Sequence, residues 1–186
     1  RLQEMYVRQA DGEVIHAGRS GDEKNEFVLK NTPEGREVSS PWSVNSYPST
    51  LSNITAEDVR KADAPLPEDA LNALFIADNG LNLQLDLYAQ GEEHWLRLSA
   101  NVEPTSAIAA VALQQNQAGD GQAGDEEIAP IDPAQEAEQI NKRTAGWEFR
   151  IAEFKYNSWA KRMEDLLKPA ASIAPDLPAA DSGDQG

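Results

Sequence analysis

Few side chains of this 186-residue chain have the type and spacing that catalysis or metal binding requires. The two histidines, His16 and His94, each fall on a predicted strand without the neighbouring ligands of a zinc site. Cysteine is absent, which excludes disulfides, thiolate metal ligands and cysteine nucleophiles. The sequence has no HExxH motif, no glycine-rich phosphate loop opening a helix and no GxSxG elbow. We therefore predict no catalytic residue, no metal ligand and no cofactor.

Adjacent carboxylates are the other candidates for acid/base chemistry, and they occur at Glu57-Asp58, Glu92-Glu93 and Glu126-Glu127. Each pair is predicted in a turn, a cap or a linker, where nothing apolar would raise the pKa of one carboxyl above that of its neighbour. A pair assembled from distant positions stays open. Glycoside hydrolysis would need two carboxylates roughly 5 to 9.5 Å apart in one cleft.

The four tryptophans are candidates either for the core or for a binding surface. Trp95, Trp147 and Trp159 fall in register with other apolar residues, so we predict all three in the core. Trp42 follows Pro41 at the start of a helical stretch. It could pack against the helix as a hydrophobic staple, or stand open as a partner surface.

The net charge of the chain argues against some classes of binding partner. The formal net charge is −16, and seven acids with no lysine or arginine lie between Gln115 and Asn141. Such acidity opposes binding to nucleic acid and to anionic membranes. The longest apolar run, Ala107 to Leu113, is far shorter than the roughly 20 residues that a membrane-spanning helix needs. We expect no nucleic-acid partner and no membrane-spanning segment in this chain.

Two runs of short strands stand out in the pattern. The first is predicted at 5–9, 14–17 and 27–30, with a turn at Asp11-Gly12, and the second at 71–77, 81–88 and 95–102, with turns at Asn79-Gly80 and Gln90-Gly91. Aligning them matches Gly12 with Gly80 and Phe27 with Trp95, a period of 68 that suggests a degenerate duplication. Whether the two runs share one sheet stays open.

Helical patterns follow each run of strands. Val44, Tyr47, Leu51 and Ile54 have helical spacing, although Pro48 should begin or kink a turn rather than lie inside the helix. Thr55 and Asp58 resemble a cap before Val59. A second helix is predicted from a capping box at Asp132 and Gln135, with Pro133 at its first position, to a stop at Gly146.

The end of the chain switches from a strand to a helix. Trp147, Phe149 and Ile151 alternate with polar residues, and an amphipathic helix is then predicted from Phe154 to Leu167, stopped by Pro169. We predict an α+β two-layer sandwich in which antiparallel meanders are covered by helices. The expected units are 1–61 and 70–168, with a short helix at 106–113, a flexible acidic insertion at 114–131 and a disordered tail at 169–186.

Several packing motifs resemble a bacterial domain-of-unknown-function family, the one numbered forty-three forty. They are Phe27–Asn31 leading to Pro41–Asn45, His94–Ala100, Asn141–Arg143, Gly146–Ile151, Phe154–Asn157 and Lys161–Leu167. The resemblance implies a periplasmic domain on the extracytoplasmic face of the bacterial inner membrane, tethered by an amino-terminal segment absent here. It also implies partnership with the permease and ATPase of a gliding-motility-type ABC transporter. It brings no catalytic residues.

The leading hypothesis is therefore a non-enzymatic extracytoplasmic accessory or binding domain of a membrane-anchored protein in an ABC transport system. Such a domain should leave an apolar or aromatic patch exposed, and Trp42 is the candidate partner surface. One alternative is an envelope-polymer hydrolase with a carboxylate pair. Another is a structural or glycan-binding module, which several open aromatic faces in one groove would indicate.

Overall fold

The computed structural model describes residues 1–22, 26–102 and 132–169. They form an α+β fold in which one antiparallel sheet of eight strands has its apolar face covered by helices, as predicted. The strand order is β3-β2-β1-β5-β6-β7-β8-β4. The strands are β1 Leu2–Arg8, β2 Val14–Arg19, β3 Phe27–Leu29, β4 Asp58–Lys61, β5 Leu71–Ala77, β6 Asn82–Gln90, β7 Glu93–Asn101 and β8 Trp147–Ile151.

Both predicted meanders are present, and they belong to the same sheet. Strand β1 pairs with β5, so that the first strands of the two meanders meet at the centre. Tyr6 and Leu74 face each other at this junction. Position 74 is 68 residues after position 6. The two residues that pair at the junction are therefore separated by the same period that the sequence alignment of the meanders suggests.

The two hairpins also share one register. Glu4 pairs with Gly18 in the first hairpin, and moving both positions by 68 gives Asn72 and Asp86, which pair in the second. A matching register is what a duplicated hairpin would retain, because a slip of one residue would turn every side chain to the other face. The duplication itself stays a prediction.

The third strands match with a different offset. Arg19 pairs with Phe27, whereas Leu87, 68 positions after Arg19, pairs with Leu96, 69 positions after Phe27. The structural match of Phe27 is thus Leu96 rather than Trp95. The extra residue in the second meander explains why the two apolar patterns do not superpose in the sequence.

The far edge of the sheet corrects one helical prediction. Residues 58–61 form strand β4, which pairs with β8, so Thr55 and Asp58 do not cap a helix. Val59 lies opposite Phe149, and Arg60 lies opposite Glu148. The pairing with β8 overrides the local capping pattern, because all four residues of β4 have a partner on β8.

Four helices lie within the described residues: α1 Pro41–Ser52, α2 Pro133–Thr144, α3 Glu153–Trp159 and α4 Met163–Leu166. The inner face of the sheet, which carries Met5, Phe75, Leu85, Leu96 and Ile151, packs against α1, α3 and α4. Pro48 lies inside α1, contrary to expectation. Val44 and Tyr47 are buried and Leu51 packs on the same core, so packing on both sides of the proline holds the helix together.

Helix α2 has the predicted ends. The Asp132 carboxylate accepts a hydrogen bond from the Ala134 backbone N–H, and Gly146, at φ +77°, follows the last turn. Asn141 fixes the helix to the edge of β7, because its side chain donates to the carbonyl of Ala100 and accepts from the N–H of the same residue. An amide side chain thus continues the strand ladder.

The predicted terminal helix is divided in two at residues 160–162. Gln9 Nε2 donates to the carbonyls of Trp159, at 3.3 Å, and Lys161, at 3.0 Å. These carbonyls therefore accept hydrogen bonds from the residue that follows β1 instead of from the next turn of a helix. Arg162 has extended backbone with ψ 164°, and its N–H donates to the Asp165 carboxylate at the start of α4. The predicted helix at 106–113, the insertion at 114–131 and the tail from 170 lie outside the described residues.

Candidate functional site

Trp42 stands open on the protein surface, with 75% of its area exposed. It occupies the first turn of α1, whose opposite face is anchored in the core by Val44 and Tyr47. The indole is therefore not packed as a hydrophobic staple but exposed, and its role as a partner surface stays a prediction. The indole is held on a fixed helix rather than on a loop.

A groove, here the Trp42 groove, runs between α1 and α3 and has a volume of about 310 Å³. It is lined by Trp42, Ser46, Ser49, Thr50, Asn53, Lys155, Ser158 and Lys161. The α1 residues recur at helical spacing, which places them on the face opposite the core stripe. That polar stripe was visible in the sequence, but it resembled an ordinary solvated helix face.

Most hydroxyl protons in the groove are committed to the helices. Ser49 Oγ donates to the carbonyl of Asn45, Thr50 Oγ1 to that of Ser46, and Ser158 Oγ to that of Phe154. Asn53 Nδ2 donates to the carbonyl of Ser49. Each of these side chains keeps an oxygen that can accept a further hydrogen bond. The floor of the groove is thus a row of acceptors.

Two lysines supply the donors at the other side of the groove. Lys155 Nζ lies 5.2 Å from the centre of the Phe154 ring, and Lys161 Nζ lies 6.0 Å from that of Tyr47. Within the described residues neither ammonium forms an ion pair with a carboxylate, and no acidic residue lines the groove. The lining of the groove therefore carries two positive charges and no negative one, on a chain whose net charge is −16.

Phe154 adds a second exposed aromatic beside the groove, with 66% of its area exposed. Its contact with the Lys155 ammonium places it next to a lining residue. Trp42 and Phe154 are the most exposed of the large apolar side chains in the described residues. The sequence pattern did not single out Phe154.

A smaller acidic cleft of about 250 Å³ lies around Arg150 and His94 at the end of β8. Arg150 pairs with Glu93 at 2.9 Å and with Glu57 at 3.8 Å, and both carboxylates are about half exposed. His94 contacts the ring of Tyr156, with the ring centres 4.6 Å apart. This cleft brings together two of the predicted carboxylate pairs, but in a solvated setting that suits ion pairing rather than proton transfer.

The outer face of the sheet holds a buried carboxylate that the sequence pattern did not single out. Glu148 is only 3% exposed and accepts hydrogen bonds from Tyr88 at 2.6 Å and from Arg60 and Arg97. Burial alone would raise its pKa, but these three donors outweigh burial and hold the pKa of Glu148 below its ordinary value. Glu148 therefore stays ionised and cannot serve as a general acid at neutral pH.

The outcome for the three predicted core tryptophans is mixed. Trp159 is fully buried among the inner-face core, and Trp95 is buried on the outer face, where the Arg60 guanidinium lies 3.6 Å above its ring. The prediction for Trp147 is wrong, since the side chain is 40% exposed. Strand β8 has only β4 beyond it, so this end of the inner face is incompletely covered.

The described residues contain no cluster of three or more His, Cys, Asp or Glu side chains that could hold a metal ion. His16 is instead stacked on Tyr6, with the ring centres 4.2 Å apart. None of the described helices has the length and apolar character to cross a lipid bilayer.

Comparison with known proteins gives no match: no family model, no curated protein and no solved structure is similar to this chain.

Proposed function

We propose that this chain is a non-enzymatic binding domain whose ligand contacts the Trp42 groove. The observation that carries the proposal is the exposed Trp42 indole on a helix that is otherwise fixed in the core. Tryptophan is enriched at binding hot spots because it buries a large apolar area at little cost in conformational entropy. A rigid platform of this kind is preorganised, so that binding a ligand requires little further ordering of the protein.

The arrangement of carboxylates supports binding rather than catalysis. Among the described residues, the buried carboxylate Glu148 is held by two guanidinium groups, and the cleft at Arg150 is solvated. The donors around Glu148 hold its pKa below the ordinary value, and the cleft at Arg150 lacks the apolar surroundings that a general acid requires. A hydrolase would be recognised by new reducing ends released from an envelope polymer, with the release lost in Glu57→Gln or Glu93→Gln.

The location and the transport partners come from the family resemblance alone. On that basis we propose an extracytoplasmic domain, tethered at its amino terminus and associated with the permease and ATPase of an ABC transporter. The Trp42 groove is then the surface that handles the transported substrate. Purification of the anchored protein from gently solubilised membranes should enrich both transporter components, and their absence from the purified material would contradict the association.

Binding through the groove can be tested with cell envelopes of the source organism. The purified chain should sediment with the envelopes, and Trp42→Ala should stay in solution. Trp147→Ala is the matched control, because it removes another exposed indole outside the groove. Sedimentation that is the same for all three proteins would exclude the groove as the contact surface.

A further inference from the structure

We infer that the ligand of the Trp42 groove is an acidic carbohydrate, a sugar polymer that carries carboxylate or phosphate groups. The inference rests on the proposed function, since it names the class of ligand for the same groove. Three features of the groove carry it: the row of acceptors, the exposed aromatic rings and the two lysines.

The acceptor row matches the hydroxyl groups of a sugar. Ser49, Thr50 and Ser158 donate their own protons to helix carbonyls, so their free oxygens require donors from the ligand. A sugar offers several O–H donors on one ring. An acidic peptide offers one backbone N–H per residue and carboxylates that only accept, which would leave most of the row without a partner.

The exposed aromatics match the apolar side of a sugar ring. Trp42 and Phe154 present large faces at the groove and beside it. A pyranose has one face of C–H groups that packs on an aromatic ring, while its hydroxyl groups point outward toward polar partners. Aromatic rings next to hydrogen-bond acceptors can therefore bind both sides of one sugar residue.

The lysines set the charge of the ligand. Lys155 and Lys161 lie on the side opposite the α1 acceptors and have no carboxylate partner within the described residues. The remainder of the chain repels polyanions, because the net charge is −16. A neutral glycan would leave both ammonium groups unpaired, whereas an anionic group on the sugar would pair with them at this site.

The inference can be tested by affinity electrophoresis of the full chain in native gels. The gels contain acidic polysaccharides (alginate, hyaluronate or a teichoic acid), a neutral polysaccharide (dextran), or polyglutamate. We expect retardation by an acidic polysaccharide and by neither of the others. Trp42→Ala should weaken binding about 30-fold, as at a binding hot spot. Lys155→Gln and Lys161→Gln should each weaken it about fivefold, and rising salt should weaken it further.

Lys142→Gln is the control for the lysine variants. It removes the same charge from an exposed lysine on α2, outside the groove, and should leave retardation unchanged. Equal loss in Lys142→Gln would mean that net charge rather than the groove controls binding, and would overturn the inference.

The possible outcomes distinguish a wrong ligand class from a wrong binding surface. Retardation by dextran, or by polyglutamate alone, with loss in Trp42→Ala would overturn the acidic-carbohydrate inference and leave the groove as the binding surface. If no polymer retards the chain but envelope binding is still lost in Trp42→Ala, the acidic-carbohydrate inference is also overturned and the groove remains the binding surface. Retardation that is insensitive to Trp42→Ala would overturn both proposals.

Discussion

The hydroxyl of Tyr88 donates to the carboxylate of Glu148 at 2.6 Å, although the two residues are 60 positions apart in the chain. The same carboxylate accepts from Arg60 on β4 and Arg97 on β7. One side chain thus joins four neighbouring strands, β6, β7, β8 and β4, on the outer face of the sheet. The stability of this half of the sheet should depend on it.

Glu148→Gln should lower the free energy of unfolding by about 2–3 kcal/mol. The loss arises because the guanidinium groups of Arg60 and Arg97 would lose a charged acceptor. It is limited because both guanidinium groups are partly exposed and can be solvated by water. Urea unfolding followed by circular dichroism measures it. Glu138→Gln is the control, since Glu138 pairs with Lys142 on an exposed helix face and its loss should leave stability almost unchanged. Equal effects would contradict the structural role of Glu148.

The contribution of Glu148 to stability should also depend on pH. Because the folded-state pKa of Glu148 is depressed, its stabilisation is complete above the unfolded-state pKa, near 4.3, and is lost as pH falls through the folded-state value. The stability difference between the native chain and Glu148→Gln should therefore be constant from about pH 8 to 5 and shrink below about pH 4. Unfolding midpoints measured across this range test it, and a difference that grows on acidification would have the wrong sign.

The two tryptophans at the extremes of exposure should behave in opposite ways. Trp159→Ala should lower the free energy of unfolding by about 3–5 kcal/mol, because it empties the centre of the core. Trp42→Ala should change it by less than about 0.5 kcal/mol, since the indole contributes to no core cluster. Thermal unfolding of both variants distinguishes these effects. A large loss in Trp42→Ala would mean that the indole is structural.

Gln9 should be important for the break between α3 and α4. Gln9→Ala would leave the carbonyls of Trp159 and Lys161 without their donor, at a cost of about 1–3 kcal/mol. Gln9→Glu should cost more at neutral pH, because it places a carboxylate against two carbonyl oxygens, and should recover in part on acidification as the acid regains a donor. Gln139→Ala, on an exposed face of α2, is the control. Chemical denaturation of the three variants at pH 7 and pH 5 would show the order.

The strands were predictable from the sequence because alternation and turn residues are local signals. Gly12 and Gly80 adopt φ +91° and +84°, as their turns require. Strand β4 was not predictable, since its four residues pair with a segment about 90 positions later. The break after Trp159 depends on Gln9, at the opposite end of the chain. Long-range pairing overrides local helical patterns at both places.

The site was predictable only at Trp42. As the second residue of a helix, Trp42 could be either packed or exposed. Only the tertiary structure shows that it is exposed. The groove also needs Lys155 and Lys161, which approach α1 only because α3 and α4 pack on the same sheet face. The burial of Glu148 was likewise hidden, because the residues that cover it come from three other strands.

The most direct test of the binding surface is photo-crosslinking in cells of the source organism. A photoreactive phenylalanine analogue is placed at position 42 of the full-length protein, and at position 59 as the control, because Val59 is exposed on β4 outside the groove. We expect a covalent adduct at position 42, weakened by Lys155→Gln, and none at position 59. No adduct at position 42, or equal adducts at both positions, would contradict binding through the Trp42 groove.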